Sequence, residues 1–212
     1  MFGTILFDLD GTLTDPYMGI TNGVIYALEN MGREVPPRES LKSFIGPPLY
    51  DEFCRKFGMS DEEAKEAVRL YRVYYPEKGL YENELIEGVE ELLKALKAQG
   101  KRICLATSKP EPFARRILEY FGIDGYFDFV GAATLDGSIG TKTEVLRHVL
   151  ENTGADTADC VLVGDRMHDI IGAHEVGMKC IAVLVGFGDR AEFAEYGADY
   201  VAEKLCDVLK LV

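Results

Sequence analysis

The sequence predicts an α/β fold: a doubly wound, parallel sheet with a helical block inserted after its first strand. Three observations predict it. Short β-branched runs recur along the chain, each followed by a helical pattern. The runs are continuously apolar rather than alternating, as strands covered on both faces are. The alternation fails over one stretch, residues 16–81, where helix follows helix.

The first run, Thr4–Phe7, follows Met1 almost directly, without the basic stretch that opens a leader peptide. Helical patterns come next, over Ile20–Met31, Pro48–Phe57 and Asp61–Tyr75, the last opened by Ser60-Asp61-Glu62-Glu63. Gly32 and the pairs Pro36-Pro37 and Pro47-Pro48 separate them. A block in this place reads as a helical cap domain over residues 16–81, with residues 1–15 and 82–212 forming one discontinuous core. Leu13–Tyr17 and Leu80–Gly88 are then the crossing linkers and expected hinges.

Within the core, Val89, Leu92, Leu93 and Leu96 make one apolar stripe, and Gly100 stops that helix. Ile103–Ala106 is the second core strand. Ser108-Lys109-Pro110-Glu111 combines a capping residue, an early proline and a glutamate, so a helix is expected from Ser108 to Phe121, ended by Gly122. Phe127–Val130 reads as the third strand, and Thr141 or Thr143 opens a helix through Val145, Leu146, Val149 and Leu150. Val161–Val163, Ile181–Val185 and a weak Tyr200–Val201 complete the sheet.

Composition narrows the function. In 212 residues, 23 Lys+Arg stand against 36 Asp+Glu, a net charge of −13. That balance opposes nucleic-acid and anionic-membrane binding, which need a positive surface. A small phosphorylated metabolite remains open as partner, because a few local donors hold one phosphate. The longest apolar stretch, Cys180–Val185, is far short of the ~20 residues of a membrane span. The five cysteines are widely spaced with no C-x-x-C, and Cys104, Cys160 and Cys180 lie in or beside apolar runs. They read as small buried hydrophobes, which fits a reducing cytoplasm.

The strongest chemical signal is Phe7-Asp8-Leu9-Asp10-Gly11-Thr12-Leu13-Thr14-Asp15, at the carboxyl end of the first strand, where open α/β sheets bind ligands. Residues two apart on extended backbone share a side, so Asp8 and Asp10 are expected to converge. Such neighbours repel unless a cation or a shared proton relieves them. An Asp-rich turn is also a common solvated loop. An EF-hand is ruled out, because its sixth and twelfth positions need Gly and Glu and here are Leu13 and Gly19. A second acidic pair, Asp165 and Asp169 in Gly164-Asp165-Arg166-Met167-His168-Asp169, also follows an apolar strand, and one helical turn is expected to bring its members together. Four carboxylates at one sheet edge predict a hard dication, for which Mg²⁺ suits phosphate chemistry. Thr107 ends the second core strand, and Ser108 with the helix start after it makes an anion site. Lys142, the only lysine between Lys109 and Lys179, opens the helix after the third strand and is a candidate phosphate or carboxylate partner.

Asp8-Leu9-Asp10-Gly11-Thr12, Thr107, Lys142 and Gly164-Asp165 with Asp169 resemble the four ordered motifs of the haloacid dehalogenase superfamily, over essentially the whole chain. Within it the chain is similar to the phosphoglycolate-phosphatase-like branch with a small helical cap. The resemblance implies a Rossmann-like core, an aspartyl-phosphate intermediate and a Mg²⁺ cofactor. Relatives commonly carry Lys-Pro in the third motif, whereas Thr143 follows the lysine here.

On this reading Asp8 is the nucleophile and Asp10 the acid and base. Asp8, Asp10 (through its carbonyl), Asp165 and Asp169 attend the metal. Gly11, Thr12, Thr107, Ser108 and Lys142 hold phosphate. An acid at position 10 favours phosphate esters, since by resemblance dehalogenases lack one there. The alternatives are a 5'-nucleotidase acting on nucleoside monophosphates, a sugar-phosphate mutase of the same superfamily, or a receiver-type signalling module. The cap is expected to choose the substrate, through candidates such as Tyr17, Tyr50, Arg38, Lys42, Arg55, Arg69 and Arg72. Gly186-Phe187-Gly188 lacks the spacing of a dinucleotide fingerprint and is set aside.

Overall fold

The fold is described by a computed structural model covering residues 1–212. In chain order the main elements are β1 (Thr4–Phe7), α1 (Tyr17–Asn30), α2 (Leu49–Phe57), α3 (Asp61–Tyr74), α4 (Val89–Ala98), β2 (Arg102–Pro110), α5 (Glu111–Tyr120), β3 (Phe129–Ala133), α6 (Lys142–Thr153), β4 (Cys160–Gly164), α7 (Met167–Glu175), β5 (Lys179–Val183), α8 (Arg190–Tyr196) and β6 (Tyr200–Ala202). The chain divides into two compact units, one of residues 1–15 and 85–212, the other of residues 16–84.

The larger unit is a six-stranded parallel sheet in the order β3-β2-β1-β4-β5-β6. That doubly wound order reverses between β1 and β4, so the ends of these strands border the crevice where such sheets take ligands. Apolar residues cover both faces of the sheet. Leu6, Cys104, Ala106 and Leu162 pack against Val145, Leu146, Val149 and Ile170 of α6 and α7. Ile5, Phe7, Ile103, Leu105, Val161 and Val163 are also fully buried, which is why these runs show no alternation. Cys104, Cys160 and Cys180 are buried, and burial pushes the Cys104 and Cys160 thiols up to about 11.

The smaller unit is helical. Alongside α1–α3 it holds a 3-10 segment, Arg38–Phe44, and a π turn, Tyr75–Gly79. Ser60 caps α3 in a reciprocal box with Glu63. Phe53 packs against Phe44 and Phe57, with ring centroids 4.8 and 6.2 Å apart. No helix is long and apolar enough to cross a membrane.

Several boundaries differ from expectation. The helix expected from Ser108 begins at Glu111, with Pro110 at its cap, and Ser108 lies inside β2. Pro110 disfavours helical backbone at Lys109, and pairing of Pro110 with Ala133 carries the strand past Ser108. Ser108 therefore caps no helix. The third strand starts at Phe129 rather than Phe127, because Asp124–Tyr126 forms a 3-10 turn. α1 opens at Tyr17, directly after Pro16.

Candidate active site

Residues from the strands β1, β2 and β4 and from two helix starts meet at the crevice. Asp8 leaves the end of β1, and its N–H donates to the Val163 carbonyl at 2.9 Å. The chain then turns tightly. The Leu9 carbonyl accepts from the N–H groups of Leu13 and Thr14 at 2.9 and 3.0 Å, and Gly11 adopts φ 89°. A side chain at Gly11 would place its Cβ 2.2 Å from Asp165 Oδ2, so the close approach and the positive φ both require glycine.

Lys142 is the hub. Its ammonium reaches Asp8 Oδ1 at 2.6 Å, the Ala106 carbonyl at 2.7 Å and Asp169 Oδ1 at 2.9 Å. It begins α6, which Thr141 caps in a reciprocal box with Glu144. Burial opposes its charge, but Asp169 and Asp8 more than offset this, so the ammonium is held above the usual lysine range. The residue after it, Thr143, bonds Glu175 Oε2 at 2.6 Å, so the missing proline does not displace the lysine.

Asp8, Asp165 and Asp169 are buried and offer oxygens within 4.8 Å of one another, a set that could hold a metal ion. Burial raises the Asp8 carboxyl to about 6, with Lys142 opposing and Asp169 adding. Burial, then the charges of Asp169 and Asp8, pushes Asp165 well above the usual carboxylate range. Asp169 Oδ2 accepts from the N–H groups of Asp165 and Arg166, each at 3.1 Å. Asp165 thus precedes α7, and a cap-like contact joins the pair rather than a turn of helix.

Asp10 pairs with Lys109, yet it lies close enough to Asp8 for its charge to help raise the Asp8 carboxyl. Its Oδ2 is ion-paired with Lys109, and its Oδ1 is buried without a hydrogen bond. β1 ends at Phe7 and the chain is already turning at Asp10, so the two residues do not share one stretch of extended backbone. Around the crevice four carboxylates meet two ammonium groups, Lys109 and Lys142. Acidic oxygens outnumber the ammonium groups there, which fits a hard dication bound by oxygen.

Gly11 and Thr12 make their hydrogen bonds within the site. The Gly11 N–H donates to Thr14 O at 2.7 Å, the Thr12 N–H to Leu9 O at 3.3 Å, and the Thr12 hydroxyl to Asp165 Oδ1 at 3.3 Å. Their donors are engaged inside the loop, which they shape. The N–H groups of Leu9 and Asp10 are not among the loop's own hydrogen bonds. Thr107 does not end its strand, which runs on to Pro110 past a register shift; it is buried within β2, and its Oγ1 accepts the Lys109 N–H at 3.1 Å.

Two contributors were not anticipated. Lys109 was visible only as part of a supposed helix start, although it lies two residues beyond Thr107. Gly186-Phe187-Gly188 closes on Asp165, with the Phe187 N–H donating to Oδ2 at 2.8 Å.

Known proteins resemble this chain over most of its length. The model of the family described as haloacid dehalogenase-like hydrolase matches residues 5–183. A 5'-nucleotidase of Pseudomonas aeruginosa is 43% identical over 95% of this chain and 93% of its own. The tyrosine-protein kinase PtkA of Mycobacterium tuberculosis is 41% identical, covering 90% of this chain and 65% of that protein. The crystal structure of a predicted phosphatase from Clostridium acetobutylicum superposes with TM-score 0.96 at 38% identity, covering 100% of this chain and 98% of that one.

Proposed function

From the premise that this chain belongs to the haloacid dehalogenase-like hydrolase family and is a phosphatase, we propose that it hydrolyses a small-molecule phosphate monoester through an acyl phosphate on Asp8, with Mg²⁺ as cofactor. The observation that carries the reading is the state of Asp8. Lys142 holds its Oδ1, and its other oxygen lies at the crevice with no protein hydrogen bond.

Asp8 Oδ2 attacks phosphorus as the bond to the leaving oxygen breaks. Asp10 gives its proton to that oxygen, releasing an alcohol. The Asp10 carboxylate then takes a proton from water, whose oxygen attacks the same phosphorus. The bond to Asp8 breaks, the carboxylate returns and inorganic phosphate leaves. Lys142, the Thr107 hydroxyl and the Leu9 and Asp10 N–H groups hold the equatorial oxygens, where negative charge gathers. Asp8, Asp165 and the Asp10 carbonyl would hold Mg²⁺. Asp169 supports from behind, since its Oδ2 is engaged by main-chain N–H groups. When bound, the ion supplies charge neutralisation at the phosphate.

The name of the Pseudomonas aeruginosa relative puts nucleoside 5'-monophosphates first in a substrate screen, beside phosphoglycolate and sugar phosphates. The test is phosphate release from that panel with and without Mg²⁺, together with Asp8→Asn and Asp10→Asn. Asp8→Asn should abolish turnover and Asp10→Asn should cost about 100-fold or more in kcat. Near-normal hydrolysis by either variant defeats the assignment. Phosphoryl transfer to tyrosine without phosphate release would favour instead the activity named for the Mycobacterium tuberculosis relative.

A further inference from the structure

Lys109 is buried beside Asp10, with a side chain only 6% exposed. Its ammonium pairs with Asp10 Oδ2, and its main-chain N–H donates to Thr107 Oγ1 at 3.1 Å. Asp10 Oδ1 is buried with no hydrogen-bond partner. An unmatched buried oxygen is costly, and such groups persist where a ligand or substrate completes them. An aspartate carboxylate turns readily about its last side-chain torsion, whose wells are broad. Fixing one oxygen therefore decides where the other points. The same logic holds at Thr107. Its oxygen accepts the Lys109 N–H, so its own proton stays free to be donated elsewhere. Pro110 keeps Lys109 extended, which lets its N–H and its ammonium serve two different partners.

We propose that Lys109 is a positioning residue: it grips Asp10 Oδ2 so that Oδ1 is the oxygen that exchanges the proton with the leaving group, and it fixes the Thr107 hydroxyl as a donor to phosphate. The inference rests on Asp10 being the acid and base of the reaction.

The test uses Lys109→Met beside Asp10→Asn on aryl phosphates graded from 2,4-dinitrophenyl phosphate to phenyl phosphate. The dinitrophenolate leaves without a proton, and the phenolate gains most from one. In Lys109→Met, kcat for phenyl phosphate falls about 100-fold, kcat for 2,4-dinitrophenyl phosphate falls less than about fivefold, and KM changes little. Added to Asp10→Asn, Lys109→Met costs less than about threefold more, because the two act as one unit. Calorimetric titration with MgCl₂ gives an affinity within about twofold of the parent, since the grip is on Asp10 and not on the metal carboxylates. Equal losses across the series, full additivity, or a large loss of Mg²⁺ affinity overturns the proposal and leaves Asp10's role standing. An Asp10→Asn variant with no leaving-group dependence overturns the acid–base reading beneath it. Should Lys109→Met fail to fold, Lys109→Gln carries the same measurements.

Discussion

At Lys142 one ammonium meets two carboxylates and a carbonyl, and its burial is tolerated because it hydrogen-bonds Asp8 and the Ala106 carbonyl and pairs with the Asp169 charge. Asp165 is the opposite case, an acid buried against two other acids and held only by a hydroxyl and an N–H. The fit around Asp165 is tight. A Cβ at Gly186 would lie 2.2 Å from Gly11 O and 2.3 Å from Asp165 Oδ2. Gly186→Ala must therefore shift the loop that fixes Asp165. The expected result is a loss of Mg²⁺ affinity of about 10- to 100-fold, the usual effect of disturbing what orients a metal ligand. Calorimetric titration measures it, and an unchanged affinity would show that the loop does not position Asp165.

Among the elements, α6 has the most direct tie to the chemistry, because Lys142 is its first residue. Thr141→Ala removes the side-chain acceptor for the Glu144 N–H, 3.3 Å away. Loss of such a cap costs about 1 kcal/mol, read as a lower urea midpoint with unchanged slope. The sequence left this cap open between Thr141 and Thr143, and Thr141 takes it; the box at Ser60 was readable directly. The similar-looking signal at Ser108 was misleading. Its proline stood two residues after the supposed cap, and strand pairing across β2 and β3 took the residues that a helix would have used. A local pattern decides a helix end only where no tertiary partner competes for the same backbone.

For the molecule as a whole, the site is a source of instability when no metal is bound. Asp8 titrates near 6 in the folded chain against an ordinary 3.8, chiefly because of burial, and Asp165 is shifted the same way. The folded state then holds protons that the unfolded chain has released. Stability from Asp8 is greatest below pH 3.8 and is lost as pH rises through about 6, and Asp165 acts in the same direction. Asp136, lowered to about 2 by hydrogen bonds from Thr134 and Ser138, acts oppositely, losing its contribution below its ordinary 3.8. In EDTA, Asp8→Asn should be more stable than the parent at pH 7, with the difference shrinking toward pH 4. Urea unfolding at the two pH values measures it. A variant less stable at pH 7 would contradict the sign. Mg²⁺ should stabilise the parent by mass action and release protons on binding near pH 6.

Read alone, the residues determined the six strands, the acidic edge and the order in which Asp8, Thr107, Lys142, Asp165 and Asp169 appear along the chain. Apolar runs and short motifs carry that information locally, through backbone period and turn chemistry. The tertiary structure decided where the side chains go. Asp10 turns to Lys109, 99 residues away, and Asp165 is clasped by Phe187, 22 residues on. Those pairings depend on which strand ends lie side by side and on how sharply the chain turns after β1, and neither is encoded in the periodicity of any one segment.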